Sequence, residues 1–470
     1  MTERKLTRRD LLRMGVATGA GSMLAACVSP KTPVSVPEVA PTSVAPTSSP
    51  PPAAPATVRV MAAWVLAPGG THPVTKKPIE PLDKAMAPFI EKYPNIDIKW
   101  SIIPFEGMWE KMATDVVAGG NDIYWNSAVD FMPGGPLENL DPWMKRDGWD
   151  PNEFVPDFSD SGYAHVKDTN DTEAHYYSMP FTFGVVPMIM YDKEIFKHYG
   201  VEPLSEFPKP EEVLEKAKKM TGTDPVTGQQ TYGYYLPMAD CCAQFSWVTM
   251  LHAFGGDVWD SNENPTKPTV LSDAGRKTFQ WYLDVEKAGA SGPDTLTHGG
   301  DYPGPPPEFL TDKNQWAITQ GCGDVCVSIV SLGKQDKYGG VQFFKDAQGR
   351  GGNPGGIGLM MHRATPNKEE AWQLMKWLNG VEMHRFRWVN WAQFSPRKVA
   401  QEWPDVKDEP LYEAGYKALA TARIMQTYRL ARWRPVILPP IQAAVAGTKT
   451  AEEALQDMDR DLQAILASPT

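Results

Sequence analysis

From residue 58 onward the chain switches repeatedly between two spacings of apolar residues. Val58-Arg59-Val60-Met61-Ala62-Ala63-Trp64 predicts a strand that runs into a proline- and glycine-rich loop. Leu82, Met86, Phe89, Ile90 and Tyr93 recur at helical spacing and stop at Pro94, and Ile96, Ile98, Trp100 and Ile102 alternate as a second strand. Met108, Trp109, Met112 and Val116 form a second helical stripe closed by Gly119-Gly120, and Asp122-Ile123-Tyr124-Trp125 predicts a third strand. Strand, helix, strand, helix, strand at this pace describes a parallel sheet with crossover helices.

The pattern continues beyond that unit. Val185 to Tyr191 predicts a strand followed by a helix carrying Ile195 and Phe196. Helical faces follow at Val213-Leu214-Ala217-Met220, at Trp247-Met250-Leu251, and at Thr278-Trp281-Tyr282-Val285. Tyr234–Leu236, Trp316–Thr319, Val341–Phe344 and Gly356–Met361 predict further strands. Pro366 opens a helix with Ala371, Leu374, Met375 and Leu378 inward, and Thr450 with Glu453 marks a capping box ahead of Leu455, Met458, Leu462 and Ile465. Trp100, Trp109, Trp281, Trp372 and Trp377 fall at packing positions of these elements. No internal repeat is visible.

The first 57 residues follow a different logic. Thr7-Arg8-Arg9-Asp10-Leu11-Leu12-Arg13 lies in a basic start, with five Lys/Arg and two acids in the first thirteen residues. A short, glycine-containing apolar stretch from Met14 leads to Leu24-Ala25-Ala26-Cys27. That stretch is below the roughly 18–20 apolar residues that span a bilayer. The order reads as a twin-arginine export signal over residues 1–26 with a lipoprotein cleavage box, so Cys27 is the expected point of lipid attachment. Two or more acyl chains, at about 0.8 kcal/mol per buried CH2, make a stable anchor. Val28–Thr57 holds nine prolines and almost no charge. It is expected to be a tether, residues 27–57, reaching about 90 Å if extended at ~3.1 Å per residue.

Composition narrows the rest. The 470 residues are 42% hydrophobic and 22% charged, which suits a globular chain. The roughly 410 residues after the tether exceed one core, so two lobes are expected. The formal charge is −11; removing residues 1–26, with five basic and two acidic side chains, leaves −14. That acidity argues against nucleic acid and against membrane binding by charge. Beyond Cys27 there are four cysteines, Cys241, Cys242, Cys322 and Cys326. A ring between the adjacent Cys241 and Cys242 is strained, which leaves a cross-pair or none. Their spacing suits a metal poorly and no histidine stands beside them, so no metal and no cofactor are expected.

Several segments, in order, resemble one family. Pro94-Asn95-Ile96 is similar to its helix-to-strand join, and Asn121-Asp122-Ile123 to a "P-D-V" before a loop facing the cleft. Met179-Pro180-Phe181 through Met190-Tyr191-Asp192-Lys193-Glu194-Ile195-Phe196 resembles "L-P-x…Y-Y-N-K-D-L-F". Phe254-Gly255-Gly256, Ala364-Thr365-Pro366-Asn367-Lys368-Glu369-Glu370-Ala371 and Gly447 to Leu455 resemble later landmarks. The family is that of the extracellular solute-binding proteins of bacterial ABC importers, in the carbohydrate-binding group that includes maltose-binding protein. The resemblance covers most of Val58–Leu466. It implies an α/β fold of two lobes with a ligand cleft between them, and chain crossings near Val185–Tyr191, Gly356–Met361 and Val399. The expected lobes are residues 58–187 with 357–398, and 188–356 with 399–470. One departure stands out: where the family often carries "N-G-x-W", this chain has Gln320-Gly321-Cys322-Gly323-Asp324, without the stacking ring.

The function this implies is capture of a sugar or oligosaccharide by lobe closure and delivery to an ABC permease, by a monomer held outside the cell membrane through lipid on Cys27. Sugars offer apolar C–H faces ringed by hydroxyls, which suit indole and phenyl rings flanked by carboxylate and amide groups. The expected ligand-binding residues are Trp64, Glu106, Trp125, Asn126, Phe183, Asp240, Trp247, Asp324, Gly356, Trp391 and Trp433, with Gln393 beside Trp391. Two rivals remain: a receptor for a peptide, polyamine or other organic solute, and a secreted glycoside hydrolase. No nucleophile elbow, zinc-binding HExxH, phosphate loop or haem motif is present, so no catalytic residues are expected.

Overall fold

The computed structural model describes residues 54–468 except 64–68, 73–74, 105–107, 129–130, 132–134, 156–163, 168–170, 237, 239–240, 294, 297–306 and 322. The export signal, Cys27 and the tether therefore lie outside the described residues.

The chain begins with β1 (Ala56–Ala63), a small hairpin of β2 (Gly70–Thr71) and β3 (Pro78–Ile79), helix α1 (Leu82–Lys92), β4 (Ile96–Ile103), α2 (Met108–Ala118) and β5 (Ile123–Asn126). β1 lies between β4 and β5 and is parallel to both, with Val60 opposite Trp100 and Ile123. The apolar run of β1, buried from Val60 to Ala63, and the helical stripe of α1, with Leu82, Met86 and Phe89 buried, account for this unit. Helix α3 (Asp141–Asp147) and a short pair, β6 (His165–Val166) and β7 (His175–Tyr176), follow.

The next apolar run, read as one strand from Val185 to Tyr191, is two. β8 (Met179–Val185) joins the first sheet and β9 (Met188–Asp192) joins a second. Val186-Pro187 separates them; proline has no amide hydrogen to continue a ladder, so one strand cannot run through it. The first sheet has the order β4-β1-β5-β14-β8, in which β14 (Gly355–Met361) is antiparallel to both β5 and β8.

The second sheet has the order β10-β11-β12-β9-β13, from β10 (Gly222–Thr223), β11 (Gln230–Tyr235), β12 (Trp316–Gly321) and β13 (Tyr338–Gln342). β11 and β12 are parallel, while β9 runs antiparallel to β12 and β13. Its helices are α4 (Lys193–His198), α5 (Pro210–Lys219), α6 (Cys241–Ala253), α7 (Asp273–Lys287) and α8 (Gly323–Ser331). Asp192 caps α4, accepting from the amides of Glu194 at 2.9 Å and Ile195 at 3.3 Å. After β14 come α9 (Lys368–Leu378), α10 (Val381–Trp391), α11 (Pro410–Ala420), α12 (Leu430–Val445) and α13 (Ala451–Ala467). α9 packs on the first sheet, α11 on β13, and α12 and α13 on α7.

The chain thus passes between the sheets at 186–187, at 343–354 and again after α10. β14 itself is part of the first sheet, so the second passage precedes the Gly356–Met361 strand to which the resemblance assigned it. The passages are tied to one another. The Phe343 amide donates to the Pro187 carbonyl at 3.0 Å, and Thr182 Oγ1 donates to the Phe394 carbonyl at 3.3 Å. A Cβ on Gly352 would stand 2.0 Å from Pro187 Cβ, and Gly352 has a φ of +64°, so only glycine serves there. Phe394 packs on Trp388 and Tyr416, with ring centroids 5.4 and 4.7 Å apart, joining α10 to α11.

Cys326 forms no disulfide; it is buried, and its thiol donates to the Leu411 carbonyl at 3.4 Å. That removes any cross-pair involving Cys326.

Candidate functional site

Ligands of open α/β sheets bind beyond the carboxyl ends of the parallel strands, where backbone and side chains leave the sheet together. In the first sheet that edge is formed by β1, β4 and β5. Trp64, directly after β1, and Glu106, after β4, lie outside the described residues. β5 ends in Trp125 and Asn126, both buried, followed by Ser127. Opposite them on β14 are Leu359 and Gly358, and a Cβ on Gly358 would come within 2.6 Å of the Met179 carbonyl oxygen. Trp125 Nε1 and Ser127 Oγ have no hydrogen-bond partner among the described residues, and Asn126 Nδ2 reaches only Met112 Sδ, at 3.7 Å. A buried polar atom left unpaired costs about 1–3 kcal/mol, so these atoms call for partners that the described residues do not supply.

In the second sheet the corresponding edge is formed by β11 and β12. Asp240 lies outside the described residues, and the loop that carries it is held by Gln442 Nε2, which donates to the Met238 carbonyl at 2.8 Å. At the start of α6, Gln244 is buried with its Oε1 unpartnered among the described residues. Next to the last residue of β12 is Gln320, whose Oε1 is likewise buried and unpartnered among them. Gly321 lets the chain pass Met188 and Met190, whose Cγ atoms would stand 2.9 and 2.8 Å from an added Cβ. Asp324 lies in α8; its side chain and that of Phe183 in β8 are outside the described set. Gly356 is buried on β14 opposite Phe183, beside the second passage.

The remaining expected residues lie deeper. Trp247 is fully buried in α6 against Phe279, ring centroids 5.9 Å apart. Trp433 is fully buried on the inward stripe of α12 with Ile437, Ile441 and Ala444. Trp391 ends α10, and the His72 ring stands on its carbonyl at 3.1 Å. The Gln393 side-chain oxygen accepts from Arg387 Nη1 at 3.3 Å. The structure therefore brings Trp125, Asn126 and Gln320 to strand ends and sets Trp247 and Trp433 in packed interiors. Ser127 and Gln244 were not singled out in the sequence; a polar residue ending or following a fully apolar run was the available signal.

Asp122, in the "P-D-V"-like segment, acts at the other end of β5. Burial works to raise its carboxyl, but the Arg59 amide, Thr365 hydroxyl and Arg59 guanidinium hold it below the usual carboxylate range. It fastens β1 to the turn after β14. Among the described residues no group of His, Cys, Asp and Glu is arranged to hold a metal. No helix among them is long and apolar enough to cross a membrane.

Residues 74–384 match the model of the bacterial extracellular solute-binding protein family, and the chain belongs to that family. The family is one of solute binders and not of enzymes, and its members work outside the cytoplasm. The fold is the two-lobe one of its solved relatives. A maltose-bound MalE3 from T. maritima superposes with a TM-score of 0.69, at 18% identity over 87% of this chain and 99% of that chain. A solute-binding protein of an ABC transporter from Thermotoga lettingae, bound with alpha-D-tagatose, gives 0.68 at 19% identity over 88% and 100%. An ABC substrate-binding protein from Listeria monocytogenes, in complex with cycloalternan, gives 0.69 at 16% over 88% and 99%. The sequence has no match among curated proteins.

Proposed function

We propose that this chain is a lipid-anchored receptor that captures a sugar or oligosaccharide between its lobes and passes it unaltered to an ABC permease. The observation that carries the reading is the pair of strand ends, Trp125-Asn126-Ser127 on β5 and Gln320 on β12, which hold buried indole, amide and hydroxyl groups lacking protein partners among the described residues. An indole face with hydrogen-bonding groups around it suits a carbohydrate. The bound solutes of the structural relatives, maltose, tagatose and cycloalternan, are of that class. Trp64, Glu106, Phe183, Asp240, Asp324, Gly356 and Trp391 complete the proposed cleft from the loops and passages around these ends. Trp247 and Trp433 shape it from beneath. Closure is the working step, because a ligand shifts the lobes only by as much as it prefers the closed arrangement.

The anchor and the permease follow from residues 1–57 and from the family. Lipid on Cys27 fixes the receptor at the membrane, and the proline-rich tether sets how far the lobes range from it. The test is a thermal-shift screen against maltooligosaccharides, other oligosaccharides, monosaccharides, sugar alcohols, peptides and polyamines. A binder at one hundred times its dissociation constant adds about 2.7 kcal/mol of stability. Stabilisation by a carbohydrate supports the reading; stabilisation by a peptide or polyamine alone overturns the sugar assignment. Release of a hydrolysis product would overturn the receptor assignment altogether.

A further inference from the structure

Arg387 lies within α10 and is 1% exposed. Its guanidinium carbon stands 3.3 Å from the centre of the Phe181 ring on β8. Nη1 donates to the Phe181 carbonyl at 2.9 Å and to Gln393 Oε1 at 3.3 Å, and Nε donates to the Met383 carbonyl at 3.3 Å. Nη2 has no hydrogen-bond partner among the described residues, and no carboxylate among them pairs with the group. The charge that acts on it is of its own sign, that of Arg397, which holds Glu153 for itself at 2.6 Å. Burial, with Arg397 adding to it, pushes the Arg387 guanidinium well below its ordinary value.

The groups beside it are neutral and bonded to one another. Asn379 Nδ2 donates to the Pro180 carbonyl, which leaves its Oδ1 to accept from His384 Nε2 at 3.2 Å. The neutral His384 ring then takes the Ser395 hydroxyl on Nδ1 at 3.0 Å. The Val155 amide donates to the Pro396 carbonyl at 2.7 Å, and Thr182 of β8 holds the Phe394 carbonyl. Residues 392–397, where the third passage leaves α10, are thus laid along β8, with Arg387 joining the two. An apolar side chain of the same length fills that space without taking a charge out of water, and a buried ion lacking a counter-ion costs stability. What the guanidinium adds is direction: its donors lie in one rigid plane, which reaches β8 and the passage at once.

We propose that Arg387 is a positioning residue: it sets one placement of residues 392–397 on β8, at a cost in stability, and so fixes where the third passage leaves the first lobe. Trp391 of the proposed cleft adjoins this stretch, so what the placement does for binding rests on the proposed function, whereas the placement itself rests on the fold alone.

The test is urea unfolding together with amide nuclear magnetic resonance of the ligand-free full chain. Arg387→Met, close in length and without charge, is expected to unfold at the wild-type urea concentration or above it. The amide signals of Phe181, Thr182, Gln393, Phe394, Ser395 and Arg397 are expected to broaden or split in that variant, as the passage takes several placements. Gln393→Glu puts a carboxylate at the 3.3 Å contact, and is expected to raise the urea midpoint and keep those signals single. Signals that stay single and sharp in Arg387→Met overturn the positioning role. So does a fall in its urea midpoint or loss of its fold, since the residue is then a prop of the core. A lowered midpoint in Gln393→Glu overturns the premise that the charge stands unpaired. A carbohydrate screen that finds no binder while the signals split overturns the sugar assignment and leaves the positioning role standing.

Discussion

Two glycines of the second passage separate crowding from handedness. Gly352 and Gly349 have φ values of +64° and +77°, but an added Cβ meets Pro187 at 2.0 Å in the first and nothing within 4 Å in the second. Gly349→Ala is expected to cost about 1 kcal/mol, the ordinary charge for a left-handed alanine, and Gly352→Ala several times that, because the Pro187 turn must also shift. Urea unfolding of the two variants measures the difference. Three buried histidines set the response to acid. Burial lowers His72, with Lys76 adding to it and the Trp391 carbonyl opposing. Burial also lowers His252, with Arg423 adding and Asp257 opposing, and it lowers His384 strongly, helped by Arg387 and Arg397. Each folded ring favours the neutral form, so its contribution is whole above the unfolded value of about 6.5 and is lost as the pH falls from there toward the folded value. Stability is expected to decline between pH 6.5 and 5 by up to about 1.4 kcal/mol per pH unit for each ring. The decline should be shallower in His384→Gln, as read by unfolding at several pH values.

At the level of elements, legibility tracked whether one face was apolar and the other polar. α1 and α7 obey that rule and could be read directly; β1, buried on both faces from Val60 to Ala63, was read from its continuous apolar run. α10 does not: His384 and Arg387 share its buried face with Met383, Trp388 and Trp391, so no apolar stripe stands out. α12 was hidden by Pro435, Pro439 and Pro440 inside it, residues that ordinarily argue against a helix. The β8–β9 boundary was missed because both strands are rich in apolar residues and only Val186-Pro187 divides them. At the candidate site, the aromatic and amide residues ending β5 were legible as strand termini. The burial of Trp247 and Trp433 was not, because a tryptophan satisfies a core and a cleft equally well in sequence. The capping box of α13 was legible and is formed: the Thr450 amide donates to Glu453 Oε2 at 2.8 Å and the Glu453 amide to Thr450 Oγ1 at 3.2 Å. Thr450→Ala is expected to cost about 1 kcal/mol in thermal or urea unfolding, since α13 packs on α7 and α12 and its start is coupled to the fold.

For the molecule as a whole, the proposed function makes binding and closure one equilibrium. A carbohydrate that stabilises the receptor is expected to reduce its radius of gyration in small-angle scattering, with the same half-saturation as the calorimetric titration. Trp125→Ala and Trp433→Ala both empty buried positions and are each expected to cost about 3–5 kcal/mol of ligand-free stability. Calorimetric titration below the variants' melting temperatures separates them: Trp125→Ala is expected to weaken the carbohydrate by tenfold or more and Trp433→Ala to change its affinity far less.

The three passages between the sheets also bear on how the receptor ages outside the cell. A protease that nicks the segment 343–354 leaves two polypeptides on a denaturing gel, yet chain from beyond the cut stays packed in both lobes: β14 lies between β5 and β8 in the first sheet, and α11 to α13 pack on β13 and α7 of the second. The nicked particle is expected to hold together as one body with two intact connections, long after its backbone is no longer continuous.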